Sequence, residues 1–261
     1  MFSILVSALN CEKYLENCLQ SIITSNVKCE IILINPKPSE VYNQIKKKFN
    51  HDIYHVIEDP DEGCADGLNK ALKFVNNPYV CVLNGDDYFL KDNLDLIVQA
   101  TKSNADIIIG NGYIVDANGF LIKEFKSTKF SINKMILNLI SICHQATFYK
   151  NKIFQDGIRF NKNNTTSWDS EILLDVYLKD YNFKYIDDYI SAFRIHKSSI
   201  SGQAKNKKNY KLQKFLYFEK IKKRQINILD KILIFLISSI FKVNKIPNKI
   251  KELFTKKIKI I

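Results

Sequence analysis

Five short apolar segments alternate with amphipathic segments through the first 110 residues. The apolar segments read FSILVSA, CEIILIN, HDIYHVI, YVCVL and ADIIIG, and each has the length and near-continuous hydrophobicity of a strand buried on both faces. The segments between them carry apolar residues at helical spacing, as in residues 12–25, where Asn10 stands in a capping position. Strands that alternate with helices predict an α/β fold with a mostly parallel central sheet flanked by helices.

The pattern changes after residue 110. GYIVDANGFLIKEF predicts a hairpin that turns at residues 117–119, and SINKMILNLISIC predicts an apolar helix. HQATFYK predicts a strand, SWDSEILLDVYLKD a further helix, and FKYID a short strand. Ligands of open α/β sheets bind at the carboxyl ends of the strands, so we expect the functional side chains at those ends.

Length and cysteine content favour a cytoplasmic protein. A chain of 261 residues with 46% hydrophobic residues can bury a full core in one large domain, or in one domain with an appendage. The first strand follows no basic and apolar leader, so we predict no signal peptide. The six cysteines lie in apolar contexts without a CxxC pair, which indicates reduced buried thiols rather than disulfides or a zinc site.

Positive charge is concentrated at the end of the sequence. Residues 201–261 hold 17 of the 39 Lys and Arg but only 3 of the 27 Asp and Glu. Their lysines mix with aliphatic and aromatic residues at helical spacing, and the uncharged run at residues 232–241 is far shorter than the ~20 residues that span a bilayer. Such helices bind anionic membrane surfaces. Packing on the body or on a second protomer is the alternative, and nucleic acid is disfavoured because no recognition motif is present.

Two adjacent carboxylates end the fourth apolar segment, in the sequence YVCVLNGDDYFL. Asp86 and Asp87 repel each other and lose hydration at such a place, which requires an explanation. They form a solvated turn, a general acid/base pair, or a site for a divalent cation. Mg²⁺ and Mn²⁺ take hard oxygen ligands and bridge phosphates through one or two carboxylates. Because the chain has no glycine-rich phosphate loop, a diphosphate substrate would need such a cation.

The stretch EDPDEGCADGLNKALKFVNNPYVCVLNGDDYFL resembles the core signature of family-2 glycosyltransferases, which have the GT-A fold. Four further segments resemble that family in the same order: SILVSALNCEKYLENCLQSI, HQATFYKNKIF, SWDSEILLDVYL and FRIHKSSIS. The resemblance covers residues 2–202. It implies a GT-A domain at residues 1–202, with a nucleotide-binding half at 1–110 and an acceptor half at 111–202, followed by a basic helical extension at 203–261.

The resemblance also implies roles for single residues. Asp87 is implied to be the direct ligand of Mn²⁺ or Mg²⁺, with Asp86 assisting the metal or holding the ribose, and Asp169 is implied to be the catalytic base. The implied donor-binding residues are Ser7, Ala8, Asn10, Asn35, Asp66, Asn69, Lys70, Asn84, Gly85, Arg194 and His196. The residues of the acceptor or sugar pocket are His144, Gln145 and Trp168, the last as a stacking wall or as a core aromatic.

Four residues qualify this assignment. Asn84 stands where many family members have the first Asp of the metal motif. In LINPKPSE, Asn35 and Glu40 stand where the family has the carboxylates that read the base and the ribose. Glu171 competes with Asp169 for the role of base, but on a helix the two side chains point about 200° apart, so only one of them can face the site.

We therefore hypothesise an inverting, metal-dependent glycosyltransferase. It moves a sugar from a nucleotide diphosphate, a UDP-sugar being favoured, to a glycan or lipid-linked acceptor at the inner face of a bacterial membrane. The base takes the proton of the acceptor hydroxyl, and the cation stabilises the departing diphosphate. Two alternatives remain at this point: a metal-dependent sugar nucleotidyltransferase, and a non-catalytic membrane-associated adaptor on the same fold.

Overall fold

The computed structural model describes residues 1–137, 139–197, 199, 207–243 and 258–260. Its strands are β1 (Phe2–Ser7), β2 (Cys29–Ile34), β3 (Ile53–Ile57), β4 (Tyr79–Asn84), β5 (Tyr88–Phe89), β6 (Ile107–Val115), β7 (Leu121–Phe125), β8 (Thr147–Lys150) and β9 (Phe183–Arg194). Its α-helices are α1 (Glu12–Ile23), α2 (Glu40–Lys48), α3 (Cys64–Ala71), α4 (Leu94–Thr101), α5 (Ile132–Ile136), α6 (Lys152–Gln155), α7 (Trp168–Tyr177), α8 (Lys207–Lys222) and α9 (Ile228–Val243). Short 3-10 turns follow at Leu72–Phe74 and His144–Ala146.

The strands form one sheet in the order β3-β2-β1-β4-β8-β6-β9-β5, with β7 paired to β6. β1 pairs parallel with both β2 and β4, and β3 pairs parallel with β2. β8 runs antiparallel between β4 and β6, whereas β6 and β9 pair parallel. The predicted α/β fold with a mostly parallel sheet is confirmed. Because β1, β2, β4, β6 and β9 run in one direction, their carboxyl ends meet at the same edge of the sheet.

Apolar side chains cover both faces of this sheet, as β1 illustrates. Ile4 and Val6 pack in the cluster that contains Leu19 of α1, whereas Leu5, between them in sequence, packs in the cluster that contains Leu68 of α3. All three β1 side chains are fully buried. Alternate residues of a strand point to opposite faces, so a strand with helices on both sides must be apolar throughout. This explains the continuous runs in the sequence.

The helix α1 begins differently from the prediction. Cys11, rather than Asn10, is its N-cap residue, and no side chain caps its first turn. Asn10 has φ +57°, a left-handed conformation that asparagine tolerates better than most residues. Asn10 therefore turns the chain after β1 and does not cap the helix. Ser39, by contrast, caps α2, because its side chain accepts a hydrogen bond from the Tyr42 amide.

Two predicted elements have different lengths in the structure. The helix predicted over residues 131–143 ends at Ile136, because the chain beyond it bonds to an earlier segment: the Thr128 amide donates to the Ser141 carbonyl over 2.6 Å. The strand predicted at FKYID extends to Arg194, because β6 and β5 provide pairing partners along it. Pairing with segments distant in sequence determines the lengths of both elements, and the local sequence pattern does not predict such pairing.

The first described element of the basic extension is α8. The predicted boundary between residues 202 and 203 lies outside the described residues, and so do residues 244–257 of the extension. Tyr217 and Phe218 of α8 are 6% exposed and pack against Leu174 of α7 and Ile136 of α5, respectively. The helix α8 is thus part of the body. No helix in the described part of the chain is both long and apolar enough to cross a bilayer.

The helix α9 is the less buried of the two. Ile234 packs with Phe218 and Ile136, but a row of large apolar side chains faces solvent. They are Ile228, Leu229, Ile232, Leu233, Phe235 and Leu236, each at least 50% exposed.

Candidate active site

The end of β4 lies against the loop that follows β1. The Gly85 amide donates to the Ser7 carbonyl over 2.7 Å, directly after Asn84, the last residue of β4. A Cβ atom at Gly85 would lie 3.0 Å from the Cβ of Cys11 and 3.2 Å from the Cα of Ala8. Glycine permits this close approach of two backbones. The predicted site residues at the end of β1 and those at the end of β4, which are distant in sequence, are therefore neighbours.

Asp87 is fully buried and is oriented by three hydrogen bonds. Its Oδ1 accepts from the Arg194 backbone amide at 2.8 Å, and its Oδ2 accepts from Gln145 Nε2 at 2.7 Å and from Asn84 Nδ2 at 3.0 Å. Burial, followed by the charge of Asp86, raises the pKa of Asp87 well above its usual value, and the three donors oppose that shift. The carboxylate is held in one orientation by three neutral amide donors.

Asp86 contacts a different set of groups. Its Oδ2 lies 2.8 Å from His196 Nε2, and its backbone carbonyl accepts from Arg194 Nε at 2.9 Å. The His196 ring also packs 5.0 Å from the Tyr14 ring. Asp86 and Asp87 are adjacent in sequence, but their carboxylates have different partners. Arg194 of the Arg-x-His segment contacts both residues, and His196 contacts Asp86.

The Arg194 side chain is buried beneath the two carboxylates and lies between the rings of Tyr14 and Tyr88, at 4.6 and 5.2 Å. Its Nη1 donates to the carbonyls of residues 116–117, at 3.4 and 3.3 Å, and its Nη2 donates to Asn17 Oδ1 at 3.2 Å. Cation–π contact and these carbonyls hold the guanidinium in place. These contacts let Arg194 organise the backbone around the carboxylates, and its implied role in donor binding stays a prediction.

These residues fit a divalent cation. Asp86 and Asp87 supply the hard oxygen ligands that Mg²⁺ and Mn²⁺ prefer, and such ions take one or two protein carboxylates while water and phosphate supply the rest. A carboxylate offers about four acceptor sites, and the three donors to Asp87 leave it about one. Within the described residues, no cluster of three or more His, Cys, Asp or Glu forms an all-protein cage. The arrangement therefore suits an ion that a phosphate ligand completes.

On the other side of the β1 end, α3 places the residues of the predicted Asp-x-x-Asn-Lys motif. Asp66 Oδ2 lies 3.5 Å from Lys70 Nζ and accepts from the Glu62 amide at 3.1 Å, which holds the pKa of Asp66 below its usual value. Asn69 exchanges two hydrogen bonds with the Phe160 backbone, at 2.8 and 3.0 Å. In this structure Asn69 therefore anchors the segment that leads to α7.

Asn35 and Ser7 occupy the ends of β2 and β1. Asn35 is fully buried, and its Oδ1 accepts from the Lys37 amide at 3.1 Å. Its Nδ2 is buried and has no hydrogen-bond partner among the residues that the structure describes. An unpaired buried amide donor destabilises the protein unless a ligand binds it. The Ser7 hydroxyl lies 3.6 Å from the Cys64 thiol at the start of α3.

Asp169 lies in the first turn of α7, apart from the two carboxylates at the β4 end. It is partly buried, and its Oδ1 accepts from the amide of the next residue, Ser170, at 2.8 Å. Its charge acts on His144, which is 7% exposed and whose pKa is lowered by burial, with Asp169 opposing that shift. Neither ring nitrogen of His144 has a hydrogen-bond partner in the described part of the chain. A neutral imidazole with unused polar atoms therefore stands beside Asp169.

Trp168 is a core aromatic rather than an open wall. It is 8% exposed, and its ring meets the rings of His144 and Phe160 edge to face at 4.7 and 5.4 Å. His144 thus contacts the α7 side of the site, while the next residue, Gln145, contacts Asp87. The two consecutive residues join the predicted metal site to the predicted base.

Glu171, the competitor for the role of base, is bound on the opposite side of α7. It accepts from Asn164 at 2.7 Å, Asn161 at 3.0 Å and Lys220 of α8 at 3.0 Å. Burial alone would raise the pKa of Glu171, but these three hydrogen bonds outweigh burial and lower it. A carboxylate stabilised as an anion by three donors is a poor proton acceptor, so the geometry favours Asp169.

The sequence did not point to α8 as a support for this helix. Tyr217 Oη donates to the Ser167 carbonyl at 3.1 Å, Gln213 Nε2 donates to Asn164 Oδ1 at 3.1 Å, and Lys220 contacts α7 as described. These three α8 residues follow a spacing of four and three, which places them on one face of a helix. That spacing is the signal by which a buried face of α8 is recognisable.

The sequence is similar to a family model and to several known proteins. A family model described as "Glycosyl transferase family 2" matches residues 3–161. The chain is 26% identical over 211 residues to "Uncharacterized glycosyltransferase MJ1057" of Methanocaldococcus jannaschii, covering 76% of this chain and 72% of the relative. It spans 31% and 55% of the length of the next two curated relatives.

Two solved structures have the same fold. Staphylococcus aureus TarS 1-349 in complex with UDP-GlcNAc matches with a TM-score of 0.66 at 18% identity, covering 84% of this chain and 66% of that chain. The mannosyltransferase PcManGT from Pyrobaculum calidifontis, in complex with GDP-Man and Mn²⁺, matches with a TM-score of 0.64 at 11% identity, covering 88% and 66%. The curled α/β sheet with flanking helices is therefore the GT-A fold.

Proposed function

The chain belongs to glycosyl transferase family 2, and from this premise we propose that it is an inverting enzyme that joins a sugar to an acceptor hydroxyl with Asp169 as general base. Glycosyltransferase activity itself follows from the family and its relatives. Membership of this family disfavours both the nucleotidyltransferase and the adaptor alternatives. The observation that carries the proposal is the connection of Asp87 to the α7 side through two consecutive residues, Gln145 and His144.

The donor is proposed to be a nucleotide-diphosphate sugar, with UDP-sugars first. Support comes from the UDP-GlcNAc in the TarS complex and the GDP-Man in the PcManGT complex. In this chain the buried Nδ2 of Asn35 at the end of β2, which has no partner among the described residues, could donate to a base carbonyl. The parallel strands β1 and β2, and β1 and β4, end at the same edge of the sheet. Ser7, Ala8 and Asn84 lie at the ends of β1 and β4 on this edge.

Asp87 and Asp86 are proposed to hold the divalent cation, Mn²⁺ or Mg²⁺. When bound, such an ion stabilises the negative charge that develops on the leaving diphosphate. The support from this chain is chemical. Asp87 is buried beside Asp86, so that burial and then the charge of Asp86 raise its pKa, and the donors that orient both its oxygens are neutral amides.

The proposed reaction needs one proton acceptor. The acceptor hydroxyl attacks the anomeric carbon, its proton passes to the Asp169 carboxylate, and the bond to the diphosphate oxygen breaks with its electron pair on the diphosphate. Attack opposite the leaving group inverts the anomeric configuration. His144, neutral because burial lowers its pKa, is placed to hydrogen-bond the sugar or the acceptor through the nitrogens that lack partners in the described protein.

The acceptor is proposed to be a glycan or a lipid-linked glycan at the inner face of the cell membrane. The exposed apolar row of α9, including Leu229 at 71% and Phe235 at 65%, lies in a segment rich in lysine. Exposed apolar side chains flanked by positive charge favour an anionic lipid surface.

The membrane proposal is tested by vesicle sedimentation. Wild-type protein is expected to sediment with vesicles that contain anionic lipid and to be released by salt, whereas Leu229→Asp sediments several-fold less. Equal sedimentation with zwitterionic and anionic vesicles would contradict the proposal.

Donor and mechanism are tested together by turnover. UDP-, GDP-, CMP- and dTDP-sugars are offered with Mn²⁺, nucleotide release is followed, and the anomeric configuration of the product is read by NMR. We expect one UDP-sugar to be consumed and its configuration inverted. Retention of configuration would contradict the single-base mechanism. Release of pyrophosphate from a nucleoside triphosphate in the presence of a sugar 1-phosphate would restore the nucleotidyltransferase alternative.

A further inference from the structure

Residues 258–260, which we call the strap, lie beside the turn between β6 and β7. The Leu121 amide donates to the Ile258 carbonyl at 2.7 Å, and the Ile260 amide donates to the Gly119 carbonyl at 3.1 Å. An antiparallel bridge lies between these two bonds. The strap is therefore a short strand added to the edge of the hairpin, the same backbone pairing by which extended peptides bind sheet edges.

The two isoleucines of the strap have different environments. Ile260 packs against a buried apolar cluster, and its carbonyl accepts a hydrogen bond from Tyr88 Oη at 2.6 Å. Ile258 is 54% exposed. The cluster consists of Tyr88, Leu90, Val115 and Ala192. Ile258 and Ile260 lie two residues apart and therefore share a face of the strand, but only Ile260 packs against the cluster and fixes the strap.

The groups that the strap touches are the groups that hold Arg194. Tyr88, which donates to the strap, stacks on the Arg194 guanidinium at 5.2 Å. The hairpin turn to which the strap is paired supplies the carbonyls of residues 116–117 that accept from Arg194. Arg194 in turn donates its backbone amide to Asp87 Oδ1. A continuous set of contacts thus leads from the strap to the buried carboxylate.

Two cavities meet at the strap. One of about 420 Å³ lies beside Arg194, and the other of about 500 Å³ lies beside the stacked rings of Tyr113 and Tyr189. Lys259 and Ile260 line both of them. The strap therefore forms a wall of the cavity that Tyr88 and Arg194 also line.

We propose that the β6–β7 edge is a strand-addition site for this chain's own residues 258–260, and that the docked strap is a positioning element for Arg194 and Asp87. Donor and metal binding at Asp87 rest on the proposed function, but the coupling from strap to carboxylate is a property of the protein alone. Coupling between two sites is reciprocal. A ligand that needs the present orientation of Asp87 therefore also tightens the strap.

The coupling is measured by hydrogen exchange on the full chain without ligands. Ile260→Asp is expected to accelerate exchange of the Leu121 amide, which donates to the Ile258 carbonyl, at least about tenfold, and to accelerate the Arg194 amide as well, because local opening exposes amides that pairing protects. Ile258→Asp is the matched control, with the same substitution on an exposed side chain, and is expected to exchange like the wild type.

Two results would overturn the proposal. If Ile260→Asp accelerated exchange at the hairpin but left the Arg194 amide unchanged, the strap would be a local feature with no effect on the site. If neither region changed, the strap would not be docked in solution.

A second variant covers the case in which Ile260→Asp fails to fold. The chain is ended at residue 257, and the peptide KKIKII, which corresponds to residues 256–261, is added in trans. We expect the peptide to restore protection of the Arg194 amide in a saturable manner. Failure of the peptide to restore it, with the truncated chain folded, would count against a strand-addition site.

The reciprocal arm uses UDP with Mn²⁺ on the wild-type chain. Their binding is expected to slow exchange of the Leu121 amide several-fold. If UDP and Mn²⁺ bind without any change at Leu121, the coupling is refuted. If UDP and Mn²⁺ do not bind at all, the proposed function is contradicted instead. The hydrogen-exchange experiment without ligands then still tests whether the strap is coupled to the Arg194 amide.

Discussion

Asp87 and Asp169, the two carboxylates with the central roles in this account, are positioned in different ways. Asp87 is fully buried, and three hydrogen-bond donors orient it. Asp169 accepts from the amide of its own helical turn, and its place depends on the position of α7 as a whole. A metal ligand gains from a fixed orientation, whereas a base must exchange a proton and needs a less stabilised anion. Side-chain hydrogen bonds fix the first group, and packing of helices places the second.

The largest expected effect separates chemistry from binding. Asp169→Asn keeps the shape of the side chain but cannot accept the proton, so kcat is expected to fall by about 10²–10⁴-fold with little change in donor affinity. Steady-state kinetics with the donor identified by turnover measure both quantities. Glu171→Gln is the matched control on the same helix, and its kcat should fall far less. A larger loss for Glu171→Gln would reverse the assignment of the base.

A smaller effect tests the fixed orientation of Asp87. Gln145→Ala removes the donor to Asp87 Oδ2 and is expected to weaken Mn²⁺ affinity by about 10–100-fold, as loss of partners behind a metal ligand generally does. Titration of Mn²⁺ in the presence of UDP measures it. Unchanged Mn²⁺ affinity in this variant would mean that the orientation of Asp87 does not depend on its hydrogen bonds.

The support of α7 by α8 predicts an effect of about tenfold on kcat. Lys220→Ala removes the contacts to Glu171 and Asp175 and lets the first turn of α7 shift. Because Lys220 is about a third exposed, the loss in the free energy of unfolding is expected to be only about 1 kcal/mol. Lys222→Ala, an exposed lysine on the same helix, is the control. Equal kinetics for the two variants would show that α8 has no influence on the base.

The smallest effect is a pH dependence of stability. Because burial lowers the pKa of His144, the unfolded chain binds a proton below about pH 6.5 that the folded chain resists. The stability contributed by neutral His144 is therefore complete above that pH and is lost as the pH falls. Urea unfolding at pH 7.5 and 5.5 should show a smaller loss for His144→Gln than for the wild type. An equal loss would mean that His144 is protonated in the folded protein.

Sequence reasoning was most successful where one physical rule dominates. Continuous apolar runs predicted the parallel strands of the first 110 residues, and the rule for strand ends brought Asp87, Gly85 and Ser7 together, as the structure has them. It was wrong for the cap of α1, because the left-handed turn at Asn10 leaves Cys11 to start the helix. Turn geometry of this kind is decided by the approach of β4, which no local pattern shows.

Long-range partners account for the rest. The family resemblance favours Asp169 over Glu171, but the physical difference between them, the contacts of Asn164 and Lys220 with Glu171, is visible only in the structure. Likewise, the Arg194 guanidinium is engaged by Asn17 and by carbonyls of the hairpin turn, which the sequence does not predict. Those partners lie far apart along the chain, and pattern reasoning has no means to pair them.

Calorimetric titration of UDP in the presence of Mn²⁺ tests the division of roles most directly, with wild type, Asp87→Ala and Asp169→Asn compared. We predict that the wild type and Asp169→Asn bind UDP equally and that Asp87→Ala loses the part of the affinity that depends on Mn²⁺. If Asp87→Ala bound UDP with undiminished dependence on Mn²⁺, or if Asp169→Asn lost binding, the assignment of the metal site and of the base would be contradicted.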